Sequence, residues 1–75
     1  MNNYLNVGRK SGVRAYQVGV DYIDVMFSDR SLYRYDYSVA GMAHVQEMKR
    51  LASLGSGLNS YINRFVKFKY TARLN

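Results

Sequence analysis

Seventy-five residues without a cysteine exclude a second domain, a disulfide framework and a thiolate metal cage. With 48% apolar residues, 15% aromatics and no proline, the chain has enough to bury to fold, which excludes a disordered linker. Eleven Lys and Arg against five Asp and Glu leave a net charge of +6, so long-range attraction favours acidic partners.

Residues 1–12 are polar and aperiodic, with Gly8 and Gly12 around Arg9, Lys10 and Ser11, and are expected to form a flexible arm. They lack the basic start and apolar run of a signal peptide, and no apolar run approaches the roughly 18 residues of a membrane span. A soluble, cytoplasmic protein with no membrane partner is expected. The fold is expected to start at Val13. Tyr16 and Val18 alternate with Gln17, and Ile23, Val25 and Phe27 alternate with Tyr22, Asp24 and Met26, the period of two that marks half-buried strands. Turn chemistry at Ser28, Asp29, Arg30 and Ser31 leads into a third strand with Tyr33 and Tyr35 on one face, both expected in the core.

After Tyr37 the period lengthens. Val39, Met42, Val45, Met48 and Ala52 recur every three or four residues, predicting an amphipathic helix capped by Ser38 and ended at Ser53 or Leu54 by Gly55. Leu58, Tyr61, Ile62 and Phe65 predict a shorter core-facing helix over 57–65, with Ser56 as its cap. Residues 67–70 alternate again, Phe68 and Tyr70 against Lys67 and Lys69, a candidate closing strand. The expected class is α+β: a three-stranded antiparallel meander packed on two helices, in the order βββαα, with a fourth strand if 67–70 pairs. The domain would span 13–71, with 72–75 as a tail.

Charge is segregated along the chain. Residues 1–20 carry +3 and residues 21–48, which hold all five acids, carry −3; residues 49–75 carry +6 through Lys49, Arg50, Arg64, Lys67, Lys69 and Arg73. These cations flank Gly55-Ser56-Gly57-Leu58-Asn59, a segment that can either offer backbone N–H groups to an anion at the start of the second helix or simply turn tightly between two helices. Arg34 between Tyr33, Tyr35 and Tyr37 combines a cation with rings, as single-stranded nucleic acid uses for stacking. Catalytic and metal constellations are weak. His44 and Glu47 are spaced i, i+3 but no second histidine completes a transition-metal site, and positions 47 and 49 point apart on a helix. No catalytic residues, metal or cofactor are therefore expected.

Tyr33-Arg34-Tyr35-Asp36-Tyr37-Ser38-Val39, a following helix, Ser53-Leu54-Gly55-Ser56-Gly57-Leu58-Asn59-Ser60-Tyr61-Ile62 and Tyr70 together resemble the KTSC domain, named for its occurrence at the C-terminus of some lysyl-tRNA synthetases. The resemblance runs from about Val13 to Tyr70 and implies a nucleic-acid-binding module. Variants with Gly-x-Gly-Leu-Asn look like small phage or prophage proteins. This chain has Ala40 where the family usually has proline, and Gly57-Leu58 in place of an aromatic pair, so no stacking role carries over to those two positions.

The function expected from the sequence is thus non-specific nucleic-acid binding. Lys49, Arg50, Arg64, Lys67, Lys69 and Arg73 would hold phosphates, with Ser56, Asn59, Arg34 and Tyr37 beside them. The alternative is a phage-type module that binds or inhibits a host protein, docking on its acidic patch through the same cations and an exposed strand edge.

Overall fold

The computed structural model describes residues 1–7 and 11–75. Among the described residues, five antiparallel strands form one sheet in sequential order: β1 (Asn2–Asn3), β2 (Val13–Val18), β3 (Tyr22–Phe27), β4 (Leu32–Asp36) and β5 (Ala72–Arg73). Between β4 and β5 the chain crosses one sheet face as α1 (Met42–Leu54) and α2 (Leu58–Tyr61), the latter continuing into a π-helical turn over Ile62–Val66. The α+β class and the strands-before-helices order follow the sequence expectation. No described helix is long and apolar enough to cross a membrane.

Period-two alternation sorts the sheet residues. Ile23, Val25 and Tyr35 face the helices and are buried against Val45, Met48 and Ala52 of α1 and against Leu58, Ile62 and Val66. Asp24 and Arg34 pair across β3 and β4 on the opposite face. A bulge between Val13 and Ala15 adds a residue to β2, so that Val13 opposite Phe27 and Tyr16 opposite Val25 both pack on the core side despite their odd spacing. The β3–β4 connection closes with the Phe27 N–H donating to Ser31 O at 2.9 Å, and Arg30 adopts the left-handed conformation at φ 69° that this kind of loop requires.

The expected flexible arm does not hold for residues 1–7. Asn2 and Asn3 pair with Tyr16 and Ala15, and the Tyr4 ring is 5% exposed within the core. Its Oη accepts a hydrogen bond from the Leu58 N–H at 3.2 Å. The lone tyrosine in a polar stretch lacked a period because only one side chain of this short edge segment enters the core. Gly8, Arg9 and Lys10, also assigned to the arm, lie outside the described residues.

Three helix expectations are corrected. First, α1 begins at Met42 after Gly41, not at Ser38; Ser38 instead donates its hydroxyl to Asp36 Oδ1 at 2.8 Å, and Val39 donates its N–H to the same oxygen at 3.0 Å. Val39 and Met42 therefore fall outside the buried stripe, Met42 being 61% exposed. Second, α2 has Gly57 at its start and no side-chain cap from Ser56. Third, Phe65 is exposed and Val66 is buried in its place, because the π-helical turn, with its i→i+5 bonding, lags the α-helical period and rolls position 65 outward. The C-terminal end of α1 is as expected: Gly55 takes φ 80°, and a Cβ there would lie 2.5 Å from Leu5 Cβ.

The closing strand is displaced. Residues 67–70 form a turn, held by the Lys69 N–H donating to Val66 O at 2.9 Å, and sheet pairing resumes only where the Thr71 N–H meets Arg34 O at 2.6 Å. Ala72 and Arg73 then pair with Arg34 and Tyr33, so the expected tail is strand β5. Asn75 fastens its end by donating Nδ2 to Arg30 O at 2.6 Å.

Truncating a buried aromatic ring typically costs about 3–5 kcal/mol, a large share of a small domain's stability. Tyr4→Ala should therefore lower the unfolding free energy by about 3 kcal/mol in urea titrations; a change below about 0.5 kcal/mol would return residues 1–7 to the status of an arm.

Candidate functional site

The anticipated cationic surface divides into three parts, because several of its members already have partners inside the domain. Arg34 lies on the sheet face away from the helices, where Nε and Nη2 donate to Asp24 Oδ1 and Oδ2 at 2.7 and 3.0 Å and the guanidinium stacks 3.9 Å from the centroid of Tyr22. This bidentate pair raises the pKa of Arg34, chiefly through the hydrogen bonds to the buried Asp24. Lys49 Nζ donates to the carbonyls of Gly19 and Val20 at 2.9 and 3.2 Å, bracing the β2–β3 turn. Arg50 forks onto Glu47 at 2.8 and 2.6 Å. Tyr37 packs beside the core, and its Oη accepts from Gln46 Nε2 at 2.6 Å. These four residues do not join the rest.

Ser56 and Asn59 line a separate groove of about 170 Å³ with Gly55, Gly57, Tyr4 and Asn6. Its capacity for an anion is reduced because the Leu58 N–H, at the start of the four-residue α2, is already bonded to Tyr4 Oη. Gly57 adopts φ 85°, a left-handed conformation that turns α1 into α2. The structure thus gives the glycine segment a turning role, with Tyr4 as the partner that the sequence pattern did not disclose.

Arg64, Lys67 and Lys69 come together. They line one shallow groove of about 270 Å³ with Asn63, Phe65 and Phe68. All three cations are exposed, and among the described residues none of them, nor Arg73, makes an ion pair. The two rings are also on the outside, Phe65 at 47% and Phe68 at 81% exposure, with Arg64 5.7 Å from the Phe65 centroid and Lys67 5.5 Å from that of Phe68. Asn63, Lys67 and Phe68 continue into an adjoining cleft of about 260 Å³, bounded by Phe27, Tyr33, Tyr35, Ile62 and Tyr70. Arg73 reaches this side from β5, its guanidinium 5.8 Å from the Tyr33 centroid.

The exposed rings are the site residues that the sequence reasoning missed. Helical spacing consigned Phe65 to the core and strand alternation gave Phe68 and Tyr70 one sheet face, whereas the π-helical turn and the turn after it place all three near the cations. Tyr33 is held between aromatic neighbours, with Phe27 at 5.9 Å and Tyr70 at 4.8 Å, both edge-on. Elsewhere, His44 Nδ1 lies 2.7 Å from Tyr61 Oη, and burial pushes the Tyr61 phenol up. Among the described residues no group of three or more His, Cys, Asp or Glu comes together to hold a metal ion.

Searches with family models, against curated proteins and against solved structures found no match to this chain.

Internal contacts also hold carboxylates in their charged form. The Ser31 hydroxyl and N–H bonds lower the Asp29 pKa, the Ser38 hydroxyl lowers that of Asp36, and the Arg50 fork lowers that of Glu47. Because their folded pKa values lie below the unfolded ones, the associated stability is complete above the ordinary carboxylate range and disappears as pH falls through the folded values. Unfolding midpoints should be level above about pH 5 and decline below it, with Asp36→Asn showing a shallower decline. An acid limb identical in the variant would contradict the role given to the Asp36 turn.

Proposed function

We propose that this chain is a small non-catalytic module that binds the phosphate backbone of nucleic acid through Arg64, Lys67, Lys69 and Arg73. The observation that carries the reading is the gathering of Arg64, Lys67 and Lys69 in one groove beside exposed rings, with Arg73 against Tyr33 of the adjoining cleft and no described carboxylate in an ion pair with any of them. Cations already engaged by the domain's own groups would lose those contacts on binding a phosphate, whereas among the described residues the side chains of Arg64, Lys67 and Lys69 have no hydrogen-bonded partner to lose and Arg73 has only a 3.4 Å bond to Asn75 Oδ1. Lys49, Arg50 and Arg34 are accordingly assigned to stabilising the fold. The KTSC resemblance implies the same partner class, and a cytoplasmic location suits it.

An acidic protein surface could use the same four cations. The strand-edge component of that alternative has little to work with, since both outer strands of the sheet are two residues long. Nucleic acid is therefore the reading favoured.

Four engaged cations predict that log affinity falls against log salt with a slope of about −3 to −4 on duplex DNA. Lys67→Glu with Lys69→Glu should weaken binding to all sequences alike and flatten the slope, while Arg50→Ala should leave both unchanged. A slope near zero, or equal losses from the Arg50 and Lys67 changes, would reject the assignment.

A further inference from the structure

The cleft beside Lys67 differs from the shallow groove in its walls. It has an aromatic wall of Tyr33 and Tyr70, a rim of Phe68 and Asn63, and Tyr35 at its base. Tyr35 is 2% exposed, yet among the described residues its hydroxyl has no hydrogen-bond partner and is not an orphaned buried atom, so it opens onto the cleft. Burial pushes its pKa up to about 12, keeping the hydroxyl protonated and able to donate as well as accept at neutral pH. Asn63 at the rim adds an amide of either polarity. The cavity, about 260 Å³, is smaller than the roughly 300–1,000 Å³ that encloses a drug-sized ligand. One flat ring system suits it better than a bulkier group.

We propose that this cleft receives one unstacked base of a single-stranded nucleic acid, packed against Phe68 and Tyr70 with its polar edge toward Tyr35 and Asn63, while Lys67 holds the adjoining phosphate. The inference rests on the backbone-binding reading above and narrows its partner from nucleic acid in general to single strands, because bases within a duplex keep their faces covered by stacking. Charge complementarity selects this occupant over a neutral apolar one: Lys67 borders both the cleft and the groove, and Arg64 and Lys69 extend the positive track along which a backbone can run. The phenylalanine at the rim needs no internal contact to justify its place, since it stands 81% exposed. Stacking on such a ring tolerates any base, so the selectivity is for strandedness and not for sequence.

The test compares three probes of equal length, about ten nucleotides: oligothymidylate, an abasic sugar-phosphate strand and a duplex, each titrated into the full chain with tyrosine fluorescence as the readout. The chain has eight tyrosines, three of them lining the cleft, and no tryptophan, so tyrosine emission is not masked. Oligothymidylate should bind roughly 5- to 150-fold more tightly than the abasic strand, the range that one stacked base commands. Phe68→Ala should remove most of that advantage without altering abasic binding or its salt slope, and Phe68→Leu, which keeps apolar bulk but no flat face, should behave the same way. Tyr35→Phe should weaken oligothymidylate alone. Equal affinity for thymidylate and abasic strands would overturn base insertion while leaving backbone binding in place, as would a duplex that binds as tightly as the single strand with no effect of Phe68. Failure of all three probes to bind, with capture of an acidic protein instead, would overturn both the insertion and the reading beneath it.

Discussion

The π-helical turn over Ile62–Val66 decides what the C-terminal third of this chain presents to solvent. Burial of Ile62 and Val66 fixes the turn to the core, and the wider i→i+5 register leaves Arg64 and Phe65 facing outward between those anchors. An uninterrupted α-helix would have carried Phe65 inward with the Leu58, Tyr61 and Ile62 stripe. Beyond Val66 the chain is constrained from its other end by β5, whose pairing with β4 draws residues 71–74 back to the sheet and leaves 67–70 as a short exposed turn. Two lysines and two rings are displayed there because both ends of the segment are held.

Distribution of the five acids gives that display its electrostatic character. Asp24 is engaged by Arg34, Glu47 by Arg50, and Asp29 and Asp36 cap turns through Ser31 and Ser38. Asp24 is the most consequential of them, since a carboxylate buried to 4% exposure requires a fixed countercharge, and the bidentate guanidinium opposite it on β4 supplies one. Asp24 and Glu47 are thus paired within the domain, and residues 64–73 carry +4 of the net +6 with no carboxylate among them.

Much of the sheet was legible in the sequence because β2, β3 and β4 bury one face and alternate accordingly; Ile23, Val25 and Tyr35 are all inward. The end of α1 at Gly55 was legible for a different reason, a left-handed position that excludes a Cβ. Features set by tertiary packing were not. Tyr4 gives no periodic signal, the shift from α to π register has no local mark, and β5 is two residues that become a strand only because β4 offers an unpaired edge. Among candidate site residues, Arg64, Lys67, Lys69 and Arg73 could be read from charge alone, yet nothing in the chain's pattern distinguished them from Lys49, Arg50 and Arg34. That distinction depends on a carboxylate or a backbone carbonyl lying within reach, which only the folded arrangement supplies.

The claim on which the account turns is that the exposed segment between Ile62 and β5, with Tyr33 beside it, is where the polyanion sits. Backbone amide chemical shifts followed by NMR through a titration with oligothymidylate test it directly. The account predicts that the largest changes fall on residues 63–70, Tyr33 and Arg73, with little movement at Gly55, Ser56 and Asn59 or on the Asp24–Arg34 face of the sheet. Changes centred on the glycine turn or on that open face would contradict it.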